Sequence, residues 1–191
     1  MKKIIFLVLT ALAGLCTADD SPWQIGIGVG KLELRLSTNQ SWYFEKDSIW
    51  EFSMLRDLSP TFGVELKTLH YAPPDMHQYG SNSGFKLDSL MLSLRFHPCV
   101  GSVCPYLAGG LNGTRAERWY LEVYPGAVKE TVKVTHLGWQ AAGGLDVKIN
   151  NSFTAYAEYM YLHSAAPSLS YEYWESPIRA DIVTIGVRYR F

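Results

Sequence analysis

Beyond Leu15 the chain has no apolar run approaching the ~20 residues that a membrane-spanning helix requires. A bilayer crossing by this sequence must therefore be made by strands, the other architecture that satisfies its own backbone polar groups. Charge is scarce and balanced, 17 Lys and Arg against 18 Asp and Glu for a formal −1, so nothing in it points to nucleic acid as a partner. Cysteine is nearly absent, three residues in 191, and the five histidines, His70, His77, His97, His136 and His163, have no ligand spacing, so no metal or other cofactor is expected. No Pro/Ser-rich linker or shift of composition divides the chain, which leaves room for one domain.

The amino terminus supplies the compartment. Lys2 and Lys3 precede an apolar run from Ile4 to Leu15, then Cys16-Thr17-Ala18 and two acids, the pattern of a secretory signal peptide cut near Ala18. Residues 1–18 are thus expected to be a leader and 19–191 the mature domain, with a net charge near −3 once both lysines leave. Leu15 is bulky where a lipoprotein signal carries a small residue, which argues against lipidation of Cys16. The exported pair Cys99 and Cys104, flanked by Pro98 and Pro105, is expected to be oxidised. Closing so short a loop should contribute ~2 kcal/mol.

The carboxyl terminus alternates. Val183, Ile185, Val187, Tyr189 and Phe191 fall on one face of a strand, and Thr184, Gly186, Arg188 and Arg190 on the other. The same period of two gives eight candidate strands, approximately Trp23 to Leu36, Ser48 to Arg56, Thr61 to Tyr71, Phe85 to Phe96, Pro105 to Arg115, Thr131 to Val147, Phe153 to His163, and Ile178 to Phe191. Connectors alternate in length. Asp57 to Pro60, His97 to Cys104 and Lys148 to Ser152 are short, whereas Ser37 to Asp47, Ala72 to Gly84, Ala116 to Glu130 and Ser164 to Pro177 are long. Even strand number, sided loops and an export signal together predict an all-β, eight-stranded antiparallel up-and-down transmembrane β-barrel. A soluble sandwich would share the alternation but has no need of the other two features.

Direction and alternation assign an outward face that includes Ile25, Ile27, Val29, Phe52, Val64, Leu92, Leu94, Leu107, Leu111, Leu137 and Leu145. Trp23, Trp50, Phe62, Phe96, Phe153, Tyr189 and Phe191 fall near strand ends, where amphipathic rings favour the membrane interface. The first strand breaks the pattern, because apolar residues occupy odd positions through Val29 and even positions at Leu32, Leu34 and Leu36. A bulge near Gly30 would restore the phase. Without one, Lys31, Glu33 and Arg35 face outward at the upper rim, where lipopolysaccharide headgroups could pair with the cations.

Pro105-Tyr106-Leu107-Ala108-Gly109-Gly110-Leu111-Asn112, Gly138-Trp139-Gln140-Ala141-Ala142-Gly143-Gly144-Leu145-Asp146 and Gly186-Val187-Arg188-Tyr189-Arg190-Phe191 make most of the mature chain resemble small outer-membrane barrels of the OmpW type, within the wider group of the OmpA transmembrane domain and OmpX. The resemblance implies the bacterial outer membrane as location and its lipid and lipopolysaccharide as surroundings. It also makes Thr184, Gly186, Tyr189 and Phe191 similar to the signal read by the barrel assembly machinery. The cysteine turn departs from the family pattern.

Eight strands make a barrel just wide enough to be filled by its own side chains. Toward the short turns the inward positions include Glu65, Lys67, Arg95, Asp146, Glu158, Arg188 and Arg190, mixed in sign and expected to pair as a polar plug. Toward the long loops they turn apolar, with Leu69, Tyr71, Leu87, Met91, Met160 and Leu162, perceived as a greasy funnel joined by Leu32 and Leu34. An OmpW-like passage for small hydrophobic molecules would require such walls. A closed structural barrel is the alternative, as is an adhesin acting through loop aromatics Trp119, Tyr120, Tyr124, Tyr171, Tyr173 and Trp174. No enzyme is expected. Lipid A acyl hydrolases place a His, a Ser and an acid on the outer wall, and His163-Ser164 with Glu172 or Glu175 lacks their spacing, one residue between the first two.

Overall fold

Alternating polar and apolar side chains give an antiparallel strand two chemically distinct faces, and closing the sheet leaves no unpaired edge for lipid to meet. The computed structural model describes residues 23–38, 41–71, 76–78, 81–122, 128–165 and 177–191. The expected leader lies outside them. The described strands are β1 (Trp23–Thr38), β2 (Ser41–Asp57), β3 (Phe62–Tyr71), β4 (Met76–Gln78), β5 (Ser81–Phe96), β6 (Val103–Glu122), β7 (Val128–Lys148), β8 (Phe153–Ala165) and β9 (Ile178–Arg190).

Sequential neighbours other than β3 and β4 pair antiparallel, β1 pairs β9, and β3 pairs β5, so eight strands close into a barrel. The three-residue β4 pairs only with the start of β5, as Met76↔Ser83 to Gln78↔Ser81. Closure of first strand on last runs without interruption from Gln24↔Arg190 to Leu36↔Ile178. Phe191 N–H then donates to the Trp23 carbonyl at 3.1 Å, which ties the final residue to the first strand.

Strands run further than apolar alternation alone indicates. β2 begins at Ser41 rather than Ser48, and β6 and β7 stay paired out to Glu122↔Val128. Much of the expected loops Ser37 to Asp47 and Ala116 to Glu130 is therefore ladder. Polar residues can hold a hairpin in water through backbone bonds and cross-strand pairs such as Glu117–Lys133 at 3.2 Å, but they leave no apolar period to read.

No bulge restores the phase of β1. Gly30↔Ile49 and Gly30↔Thr184 sit in unbroken register, and Lys31 is exposed on the outer face while Leu32 and Leu34 are buried inside. The chemical switch at Lys31 instead marks the outer limit of the lipid-facing band. On β9 the same band lies between Asp181 and Tyr189 and contains Val183, Ile185 and Val187. At ~3.3 Å per residue it climbs roughly 26 Å along the strand, or ~20 Å along the membrane normal at a tilt of ~40°. Below it, Phe62 lies 5.1 Å from Phe96, and Phe153 5.2 Å from Tyr189, as parts of an aromatic girdle.

Turns at the lower end are tight for identifiable reasons. Ser59 Oγ accepts the Phe62 N–H at 3.0 Å, and Asn150 Oδ1 accepts those of Ser152 and Phe153 at 2.9 and 2.8 Å. Val100 and Val103 exchange both backbone bonds around Gly101, whose φ of 63° suits glycine. Cys99 and Cys104 therefore fall at the next, non-hydrogen-bonded site, where facing Cα atoms approach closely; the separation is 4.1 Å, and the disulfide forms there.

Leu92 is 55% exposed on the outer face of β5, in the middle of the lipid-facing run between Leu90 and Leu94. Leu92→Arg is expected to cost ~2–4 kcal/mol in urea unfolding from lipid vesicles. An effect near zero would mean that this face does not meet hydrocarbon.

Candidate functional site

The lumen is built in two storeys. In the lower one, Glu65 and Lys67 project from β3, Glu51 from β2, Arg95 from β5, Asp146 from β7, Glu158 from β8 and Arg188 from β9, all buried. Lys67 Nζ lies 2.5 Å from Glu158 Oε1, 3.4 Å from Glu51 Oε1 and 3.8 Å from Glu65 Oε2. Arg188 donates to Asp146 Oδ1 at 2.7 Å and to Glu65 Oε1 at 3.2 Å, and Arg95 pairs with Asp146 while lying 3.6 Å from Glu65. Four carboxylates thus surround three cations in one network that crosses the barrel. Such charges survive burial only when each finds partners, because desolvating them costs several kcal/mol apiece.

Two tyrosines complete the network. Tyr106 Oη donates to Glu158 Oε2 and Tyr156 Oη to Glu51 Oε1, both at 2.9 Å. Their rings carry the guanidinium groups, Arg95 at 3.3 Å over Tyr106 and Arg188 at 3.9 Å over Tyr156. Small residues in the wall make room for them. A Cβ on Gly186 would meet the Tyr156 ring at 2.5 Å, and one on Gly144 would meet Tyr106 at the same distance.

Of the seven residues expected in a plug, six are in this network. Arg190 is not; it lies lower, at the mouth, with Nη2 3.0 Å from Asp57 Oδ2, which also accepts from Gln24. Glu51, Tyr106 and Tyr156 were not singled out from sequence. Their parity shows it, since Trp50 and Phe52 face out and Glu51 must then face in. The mouth below holds a cavity of about 590 Å³ bordered by Gln24, Asp57, His97, Lys148, Arg190 and the disulfide.

In the upper storey, Leu69, Tyr71, Leu87, Met91, Met160 and Leu162 pack into one cluster with Leu32, Leu34, Ile49, Ala116, Ile178, Ala180 and Ile182, each no more than 1% exposed. The walls are packed against one another and do not outline an empty funnel. Ile49 shares the inward parity of Glu51, and Ile178, Ala180 and Ile182 that of Thr184, which places all four on the inner face.

His163 and Ser164 occupy opposite faces of β8. Ser164 points inward and donates to Asn112 Oδ1 at 2.6 Å, whereas the His163 ring stands 5.7 Å from the outward Trp139. Glu172, Glu175, Tyr124, Tyr171, Tyr173 and Trp174 lie outside the described residues, as do the side chains of Trp119 and Tyr120. His70 faces outward and pairs across strands with Asp88 at 2.6 Å. Tyr189 and Phe191 are exposed on the outer face, and Thr184 and Gly186 line the inner one.

These features define a small transmembrane barrel with a filled lumen. The model of the outer membrane protein beta-barrel domain matches residues 4–191, and the chain belongs to that family. It is a small eight-stranded barrel of the OmpW, OmpA and OmpX type, located in the outer membrane and embedded in its lipid. Among solved structures it is similar to Neisserial surface protein A, with TM-score 0.67 and 16% identity over 88% of this chain and 97% of that one. The attachment invasion locus protein Ail of Yersinia pestis gives TM-score 0.62 and 16% identity over 91% and 100%. Outer membrane protein OprG of Pseudomonas aeruginosa gives 0.58 and 14% over 90% and 96%. At such identities the likeness is one of fold. No curated protein sequence matches.

Glu65 faces all three buried cations, so Glu65→Gln is expected to destabilise the barrel by ~3–5 kcal/mol in urea unfolding from vesicles, with outer-face substitutions to alanine as reference. A loss within the reference range would show that the network is hydrated and loosely coupled.

His97, in the turn below β5, is held below its ordinary range by burial, which outweighs the neighbouring Asp57 carboxylate 3.3 Å away. The folded state therefore binds its proton less readily than the unfolded chain does. Its contribution is complete above about pH 6.5 and is lost as pH falls below that value. His97→Gln should flatten that part of the stability profile, and an unchanged profile would contradict the assignment.

Proposed function

We propose that this barrel is a non-conducting, non-enzymatic outer-membrane protein whose upper lumen takes up small hydrophobic molecules. One observation carries the reading: the lumen is divided by chemistry, a charge-paired floor beneath a cluster of thirteen buried apolar side chains. The floor supports exclusion of ions and water from a straight route. Apolar walls above it suit a compound that gains by leaving water. Met91 and Met160 in that cluster are unbranched and can repack around a guest, which a lumen without a preformed hollow requires.

A sideways exit fits the wall. The last β2–β3 pair is Trp50↔His70, whereas β2 continues to Ser41 beside β1. Among the described residues that stretch of β2 is paired on one side only. The opposite faces of His163 and Ser164 favour a non-catalytic protein. Export by a leader cut near Ala18, insertion by the assembly machinery through the Thr184-to-Phe191 signal, and contact of lipopolysaccharide with outward cations such as Lys31 and Arg179 belong to the same proposal.

Reconstituted in planar bilayers, the mature protein should give no stepwise ion conductance, and in vesicles it should bind the apolar dye N-phenyl-1-naphthylamine. Met91→Asp and Leu162→Asp should each abolish dye binding, with folding checked by heat-modifiable gel mobility. Met160→Ala enlarges the compartment without adding charge and should still bind. Stable conductance, or dye binding indifferent to the folded charge variants, would overturn the reading.

A further inference from the structure

We propose that the upper lumen selects small amphiphiles carrying an uncharged hydroxyl or carbonyl group, and that His136 is the residue that receives this group. The proposal rests on the apolar-compartment reading above and assigns its polar end.

His136 lies on β7, inside the barrel, with no measurable exposure, and neither ring nitrogen has a hydrogen-bond partner among the described residues. The Ala165 backbone comes near the ring without reaching hydrogen-bond geometry. A buried imidazole carries one donor and one acceptor in its neutral form, and leaving both unmet is costly. Around it the polar groups are already engaged with one another. Thr114, directly across the ladder from His136, bonds to Ser89 at 2.8 Å, Asn112 at 3.2 Å and Ser164 at 3.1 Å. Asn112 Oδ1 also accepts from Ser164, and Asn112 Nδ2 donates to the His163 carbonyl at 3.3 Å. His136 is left outside this closed set.

Its placement makes the inner surface two-sided. In the closed strand order, β6 and β7 stand across the lumen from β1 and β2. The β6–β7 wall presents Asn112, Thr114 and His136, whereas the facing wall presents Leu32, Leu34 and Ile49. The belt interleaves with the apolar cluster, because Ser89 sits between Leu87 and Met91 along β5, and Ser164 follows Leu162 on β8. A guest whose hydrocarbon body lies among Met91, Leu162 and the β1–β2 side places its head at β7. The belt itself contains no Lys, Arg, Asp or Glu, so a neutral head meets a matching site and an ionised one is left without a counter-charge.

The test uses the full mature chain in lipid nanodiscs, with 1-decanol and decane as probes of equal chain length. Both compete against N-phenyl-1-naphthylamine, each corrected for its own partitioning into protein-free nanodiscs. Decanol should displace the dye about tenfold better than decane, the worth of one buried hydrogen bond. It should also shift the ring ¹⁵N signals of His136, assigned by their loss in His136→Phe, and decane should not. His136→Phe should remove the preference while retaining decane binding, and His136→Gln should restore part of it. Equal competition by both probes, or a preference that survives in folded His136→Phe, overturns this assignment and leaves the apolar compartment standing. Failure of both probes to displace the dye, or of the dye to bind, overturns the compartment itself and this assignment with it.

Discussion

Every feature of this molecule depends on the continuous backbone ladder that closes β1 on β9 and β3 on β5. Hydrocarbon offers no hydrogen bond to an open edge, so the sheet must close before any side chain can matter. Closure at eight strands then sets the bore, and that bore is too narrow to stay open when tyrosines, arginines and leucines point into it. The filled lumen follows from strand number and residue size.

Filling the bore creates an electrostatic problem, which the lower storey solves by mutual satisfaction. Glu65 alone faces Lys67, Arg95 and Arg188, and two tyrosines both donate to carboxylates and carry the guanidinium planes. Glycines in the wall let those rings lie close to the sheet. The upper storey uses the opposite chemistry, apolar packing, at the level where β1 turns its charges outward at Lys31. One strand with constant phase therefore serves lipid and plug in its lower half, and water and an apolar compartment in its upper half.

The disulfide and the mouth beneath the floor form a separate region. Cys99 and Cys104 face each other because the Gly101 hairpin puts them at a close site of the ladder, and the bond brackets that hairpin alone. Its contribution is local to the lower rim, where Asp57, His97 and Arg190 also meet.

Period-two alternation, read with the even strand number, the sided connectors and the export-type amino terminus, determined the class of fold, the lipid-facing residues and the sign pattern of the inward charges, because a strand has only two faces and membrane and lumen demand opposite chemistry. It even carried Glu51, Tyr106 and Tyr156, through the parity of their outward neighbours. Alternation could not show how far β2, β6 and β7 extend into water, since polar hairpins have no apolar period. Nor could it show that the β1 phase change is a change of environment and not a bulge. Only the tertiary structure decided which inward charges touch, that Arg190 falls below the network, that thirteen apolar side chains fill the upper bore, and that His136 is buried without a hydrogen-bond partner among the described residues. Those facts depend on the stagger of eight tilted strands, which brings together residues such as Glu65 and Arg188, 123 positions apart, and no local pattern encodes that stagger.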